Sequence, residues 1–192
     1  MIVLGLTGSI GMGKSTTARM FAEEGVPVHD SDATVHRLYE GEAIPLIEAH
    51  FPGAIANGKV DRARLAKAVV GNQEALDRLE RLIHPLVRED ADRFVEKHRE
   101  KGTPLVVLDI PLLFETAGTD RVDKIVVVTA PPQVQRERVL ARPGMTEEKF
   151  QKILARQVSD AEKRSQADFI IDTSKGMEAA RQAVRGIVGL LT

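Results

Sequence analysis

Apolar positions along this chain follow two rhythms. Short, nearly continuous runs rich in β-branched residues occur at residues 3–6, 26–29, 105–109, 124–128 and 169–171 and read as strands buried on both faces. Between them apolar residues recur at helical spacing, as in residues 15–24, where Ala18, Met20, Phe21 and Ala22 stand among polar neighbours before Gly25 ends the helix. Strands alternating with helices predict an α/β fold, a parallel sheet covered on both faces. Ligands of such sheets sit at the carboxyl ends of the strands.

The spacing of these elements is uneven. Residues 31–103, a stretch of roughly 75, contain no convincing strand, whereas a plain crossover needs a dozen or so. This predicts a helical insertion, with helices at 33–39, 43–50, 62–70 and 74–101, the last kinked or broken at Pro85. Asn57-Gly58 reads as a tight turn. After the fourth strand, Pro131-Pro132 opens a second irregular region with a helix at 133–141, a turn at Arg142-Pro143-Gly144-Met145 and a helix starting at Thr146. The expected organisation is a core of residues 1–30, 104–131 and 167–192, a helical insertion at 31–103, and a lid at 132–166.

The turn after the first strand carries the most specific chemistry. Residues 8–15 read Gly-Ser-Ile-Gly-Met-Gly-Lys-Ser, a complete G-x-x-x-x-G-K-[ST] phosphate-binding loop between a strand and a helix. Gly8, Gly11 and Gly13 let the backbone curl its N–H groups onto a phosphate chain, with Met12 between them. Lys14 is placed for the β- and γ-phosphates, Ser15 for a Mg²⁺ ion bridging them, and Thr16 for the amino end of the next helix, where an anion is favoured. The expected ligand is a nucleoside triphosphate with Mg²⁺.

Composition removes several classes. The 27 basic and 28 acidic residues leave a net charge of -1, without the basic field of a nucleic-acid binder. Aromatic residues are 4% of the chain and tryptophan is missing, which argues against stacking on single strands. With no cysteine there is no disulfide, thiolate metal site or cysteine nucleophile. No apolar run approaches the ~20 residues of a membrane span, and Met1 leads straight into a strand, so a soluble cytoplasmic protein is expected.

Acids and bases near the strand ends supply candidate partners for the phosphates. Asp30 and Asp32 follow the second strand; a carboxylate there can accept the proton of an acceptor hydroxyl or cap the next helix. The first role is favoured for Asp32, and both stay open for Asp30. Asp109 ends the third strand, where an acid reaches Mg²⁺ through water or caps a turn. Of Arg136, Arg138 and Arg142, Arg142 is the first choice to close over the nucleotide and Arg138 the second. His84, inside the insertion, reads on its own as structural.

Taken in order, LTGSIGMGKST, VHDSDATVHRL, LIHPLVR, DIPLLFE and ADFIIDTSKG resemble the dephospho-coenzyme A kinases from Leu6 to Gly176. The resemblance implies a P-loop three-layer fold with a five-stranded parallel sheet, an acceptor domain and a lid. It also implies ATP-dependent phosphorylation of the ribose 3′-hydroxyl of dephospho-coenzyme A. By the same resemblance Asp32 matches the family's base, His84 belongs to a His-Pro motif near the acceptor, and Arg142 matches a lid arginine. Similar proteins often have asparagine where this chain has Asp172-Thr173-Ser174, in a loop expected near the adenine.

Two other readings compete. A kinase of a smaller metabolite, of the shikimate or gluconate type, also places acids after the second strand, yet the insertion is large for such an acceptor and no Gly-Gly-Gly run follows the third strand. A GTP-dependent switch would need Asn-Lys-x-Asp and Asp-x-x-Gly segments, and neither occurs.

Overall fold

The run IVLGLT forms β1 (Ile2–Thr7), and every residue after the first is buried. A glycine-rich turn leads into α1 (Lys14–Glu23), whose buried residues Thr17, Ala18, Met20 and Phe21 face the sheet, while Ala22 points outward. Gly25, at φ 81°, closes the helix: its N–H donates to Ala22 O at 3.0 Å and that of Val26 to Phe21 O at 3.1 Å. That closure takes up Val26, so β2 spans Val28–Asp30 and starts two residues later than the apolar run suggests. The computed structural model describes residues 1–192.

The next elements are α2 (Ser31–Leu38), α3 (Ile44–His50), β3 (Ile55–Ala56), β4 (Lys59–Val60), α4 (Arg62–Val69) and α5 (Gln73–Glu100). Two expectations are corrected here. The insertion does hold strands: β3 and β4 form an antiparallel hairpin around Asn57 and Gly58, whose φ angles of 52° and 73° are those of a two-residue hairpin turn. Two-residue strands are too short to show an alternation, so only their turn was visible. Of the kink or break expected at Pro85, the break does not occur: α5 runs as one helix to Glu100. Pro85 and Arg81, whose carbonyl loses its helical partner, are both exposed, so water can serve that oxygen.

The chain continues through β5 (Leu105–Asp109), β6 (Lys124–Thr129), α6 (Pro132–Leu140), α7 (Glu147–Leu154), α8 (Asp160–Ser165), β7 (Phe169–Asp172) and α9 (Met177–Leu191). The five longer strands form one all-parallel sheet in the order β2-β5-β1-β6-β7. β1 is central, with Leu6 opposite Asp109 on β5 and Val126 on β6.

Two compact units result. Met1–His29 and Lys97–Thr192 make the first, built on Leu4, Leu6, Val107, Val126 and Val128 of the sheet with Phe21 of α1 and Val184 of α9. Asp30–Glu96 makes the second, with its own core of Leu38, Ala43, Ile47, Phe51, Leu65 and Ile83. Its boundary falls inside α5, seven residues before the end of the predicted insertion at 103, and residues 132–166 belong to the first unit. No helix is long and apolar enough to cross a membrane.

Candidate active site

The turn between β1 and α1 passes places where no side chain fits. A Cβ on Gly8 would lie 2.7 Å from the Val128 carbonyl oxygen, and one on Gly11, at φ +79°, would lie 2.5 Å from Val139 Cγ2. Met12 N–H donates to Ser9 O at 3.1 Å, and Gly13 at φ 93° starts α1 with no side-chain cap. The opening amides of α1 thus have no capping side chain, and with the helix dipole they suit an anion.

Lys14 and Ser15 open α1. Lys14 Nζ donates to Asp109 Oδ1 at 2.5 Å, and the Asp109 side chain is 3% exposed. Pairing of β1 with β5 brings this acid to the loop, at the carboxyl edge of the sheet. The sequence offered Asp109 a metal or a turn as partner and did not foresee the lysine. Mg²⁺ would find the exposed Ser15 hydroxyl and the Asp109 carboxylate here. No group of three or more His, Cys, Asp or Glu side chains could hold a metal by itself. Such a sparse donor set suits Mg²⁺, which takes most of its ligands from phosphate and water.

Beside the loop lies a cavity of about 290 Å³, lined by Gly11, Gly13, Thr16, Arg138, Arg142 and Thr173, with Met177 and Ala180 of α9. Two of the three candidate arginines, Arg138 and Arg142, line it. Arg138 donates to Thr173 Oγ1 at 2.8 Å and Thr173 O at 3.0 Å, whereas Arg142 is exposed just past α6. Arg136 instead donates to Glu147 Oε2 at 2.8 Å and ties α6 to α7. Hydrogen bonds from Gln151 and then Arg136 hold the Glu147 carboxyl below the usual range.

Thr173 is the residue that sequence reasoning undervalued. Its hydroxyl bonds Met12 O at 2.8 Å and Thr129 O at 3.2 Å and accepts from Arg138, joining the loop, the end of β6 and α6. Gln135 and Gln157, which meet the backbone of Ile10, were also missed. Long side chains that satisfy a distant backbone leave no local signal.

In the second unit, Asp30 caps α2, its Oδ1 accepting from Ala33 N–H at 2.9 Å. Asp32, two residues further on, is exposed. It lies on the wall of a cavity of about 500 Å³ whose other lining includes His36, Tyr39, Arg62, Leu65 and Leu79. Burial pushes the Tyr39 phenol up, against a weaker downward pull from Arg62, so it stays a neutral hydroxyl. His84 is half-buried on α5, outside that lining.

Comparison with known proteins points to one family. The family model described as dephospho-CoA kinase matches residues 2–179. The dephospho-CoA kinase of Mesorhizobium japonicum is 68% identical over 188 residues, covering 98% of this chain and 95% of that protein. The solved structure of TT1252 from Thermus thermophilus superposes with a TM-score of 0.83 at 35% identity, covering 100% of this chain and 98% of the other. A dephospho-CoA kinase from Campylobacter jejuni shares the fold, with a TM-score of 0.71 at 23% identity over 99% of this chain and 97% of its own. A phosphate-binding loop at the centre of a parallel sheet, an inserted helical unit and a match along nearly the whole length lead to one assignment: the chain belongs to the dephospho-coenzyme A kinase family.

Proposed function

We propose that this chain transfers the γ-phosphoryl group of ATP, bound with Mg²⁺, to the ribose 3′-hydroxyl of dephospho-coenzyme A in the cytoplasm. The products are coenzyme A and ADP, in the last step of coenzyme A formation. The observation that carries the assignment of roles is the division of labour between two acids: Asp30 caps α2, while Asp32 stands exposed on a cavity wall.

The acceptor oxygen attacks the γ-phosphorus, the bond from that phosphorus to the β–γ bridging oxygen breaks, and the hydroxyl proton passes to the Asp32 carboxylate. Residues 11–16 hold the triphosphate, and the Lys14 ammonium stabilises charge on the moving group. Arg142, with Arg138 beside it, serves the same charge from the lid side of the nucleotide cavity. Ser15 would hold Mg²⁺, with Asp109 serving it through water, and the ion would supply neutralisation of charge on the phosphate oxygens. The 500 Å³ cavity pairs aliphatic walls from Leu65 and Leu79 with the cation of Arg62, which suits an acceptor made of a diphosphate and a long neutral arm. His84 serves the acceptor through the His-Pro motif.

Replacing Asp32 with Asn keeps the shape and removes the proton acceptor. Turnover at saturating substrates is expected to fall by about 10²-fold or more while ADP binding is retained. A coupled assay of ADP release, run with and without dephospho-coenzyme A, measures both the loss and its dependence on the acceptor. Turnover within a few-fold of the wild type would remove Asp32 from its role.

A further inference from the structure

Both backbone polar groups of Ile10, in the middle of the phosphate-binding loop, are held by glutamine side chains. Gln135, in the first turn of α6, donates from Nε2 to Ile10 O at 2.8 Å. Gln157, between α7 and α8, accepts the Ile10 N–H on its Oε1 at 3.1 Å. Gln135 is 6% exposed, so this amide is committed to its partner away from bulk water.

The bond to the carbonyl has a consequence one atom further along. A peptide unit is planar and trans, so the Ile10 C=O and the Gly11 N–H point in opposite directions. Whatever fixes one fixes the other. Gly11 sits at φ +79°, and a peptide next to glycine can turn over with little steric resistance. Gly11 carries no Cβ to resist that turn, and Val139 and the Gln135 carbonyl stand where one would be. A side-chain donor on the Ile10 oxygen removes the freedom.

We propose that Gln135 is a positioning residue that holds the Ile10–Gly11 peptide with the Gly11 N–H turned toward the polyphosphate, while Gln157 holds the preceding peptide by its N–H. The inference rests on the loop being the ATP site. It makes α6 part of the phosphate-binding device, and its ligand class is a nucleoside di- or triphosphate. Oxygens of the phosphate chain meet an amide already aimed at them, so no orientation cost falls on binding.

The test uses the full chain with ADP as the ligand, together with steady-state kinetics. Gln135→Met keeps the length and loses the donor; the Kd for ADP should rise roughly tenfold while the KM for dephospho-coenzyme A stays within about twofold. Gln135→Glu places an ionised carboxylate against the carbonyl near pH 8 and should bind ADP more weakly still. Near pH 6 a growing protonated fraction can donate its O–H to Ile10 O, so affinity relative to wild type at the same pH should recover. That recovery occurs within one folded protein, which separates it from a folding defect in Gln135→Met. Unchanged ADP affinity in Gln135→Met, an equal loss for both substrates, or no recovery of Gln135→Glu would overturn the proposal. A wild-type chain that binds no ADP would overturn the ATP reading and this one with it, whereas normal wild-type binding beside unaffected variants would overturn this one alone.

Discussion

Thr173 has one hydroxyl proton and three polar neighbours. The proton goes to Met12 O at 2.8 Å, with Thr129 O at 3.2 Å as the weaker alternative, and a lone pair receives Arg138. Thr173→Val keeps the shape and removes all three contacts. Stability should fall by about 1–3 kcal/mol in urea unfolding, and the KM for ATP should rise, since Arg138 loses an anchor on the nucleotide cavity. Next to it, the Ser174 hydroxyl and then the Ser174 N–H bond Asp172 Oδ1 and hold its carboxyl below the ordinary value of 3.8. A depressed folded value contributes stability that is present above the unfolded value and lost as pH falls through the folded one. The stability gap between wild type and Asp172→Ala should therefore be full above about pH 5 and shrink below about pH 4, as followed by denaturant titration at several pH values. Such residues are hard to find from sequence. The phosphate loop announces itself because its partners are consecutive, but Thr173 and Met12 lie 161 positions apart and a threonine carries no mark of such use.

Elements were legible where their length allowed a period to show. The five sheet strands were found with ends shifted by at most two residues, and β5 and the body of α5 matched closely, because each buries a continuous face. The β3–β4 hairpin and α8 were missed for the opposite reason: two strand residues or six helical ones make too short a pattern. Yet α8 carries a side chain of structural weight. Lys163 is wholly buried and its Nζ lies 2.8 Å from Glu115 Oε1, a close charge contact without hydrogen-bond geometry. The same carboxylate oxygen accepts Val158 N–H at 2.9 Å, so the segment after β5 and the segment entering α8 share one acid. Removing one partner of a buried pair strands the other charge. Lys163→Met should cost about 3–5 kcal/mol, and the double variant with Glu115→Leu should recover part of that loss, a non-additivity that a double-mutant cycle measures.

At the scale of the whole molecule, two hydrophobic cores stabilise two units, to which the proposed mechanism gives separate substrates. Ile47 is fully buried in the core of Asp30–Glu96, a cluster that includes none of the sheet residues supporting the phosphate loop. Ile47→Ala should destabilise the chain by about 2–5 kcal/mol in thermal or urea unfolding. Its kinetic effect should be lopsided, raising the KM for dephospho-coenzyme A more than that for ATP; equal changes would contradict the division of labour. The existence of an insertion was readable from the long gap between apolar runs, whereas its end inside α5 was not, since the helix continues through the boundary without a change in pattern.

The insertion is entered once, after His29, and left once, before Lys97. A guest sequence joined at two points can be lengthened, trimmed or exchanged without re-threading any strand of its host. Under the proposed division of labour, inheritance can revise what the enzyme accepts separately from what it spends. The sheet and its glycine turn are free to stay constant across lineages while the guest drifts toward new acceptors, one reason a single phosphate-binding scaffold can give rise to kinases for molecules of very different size.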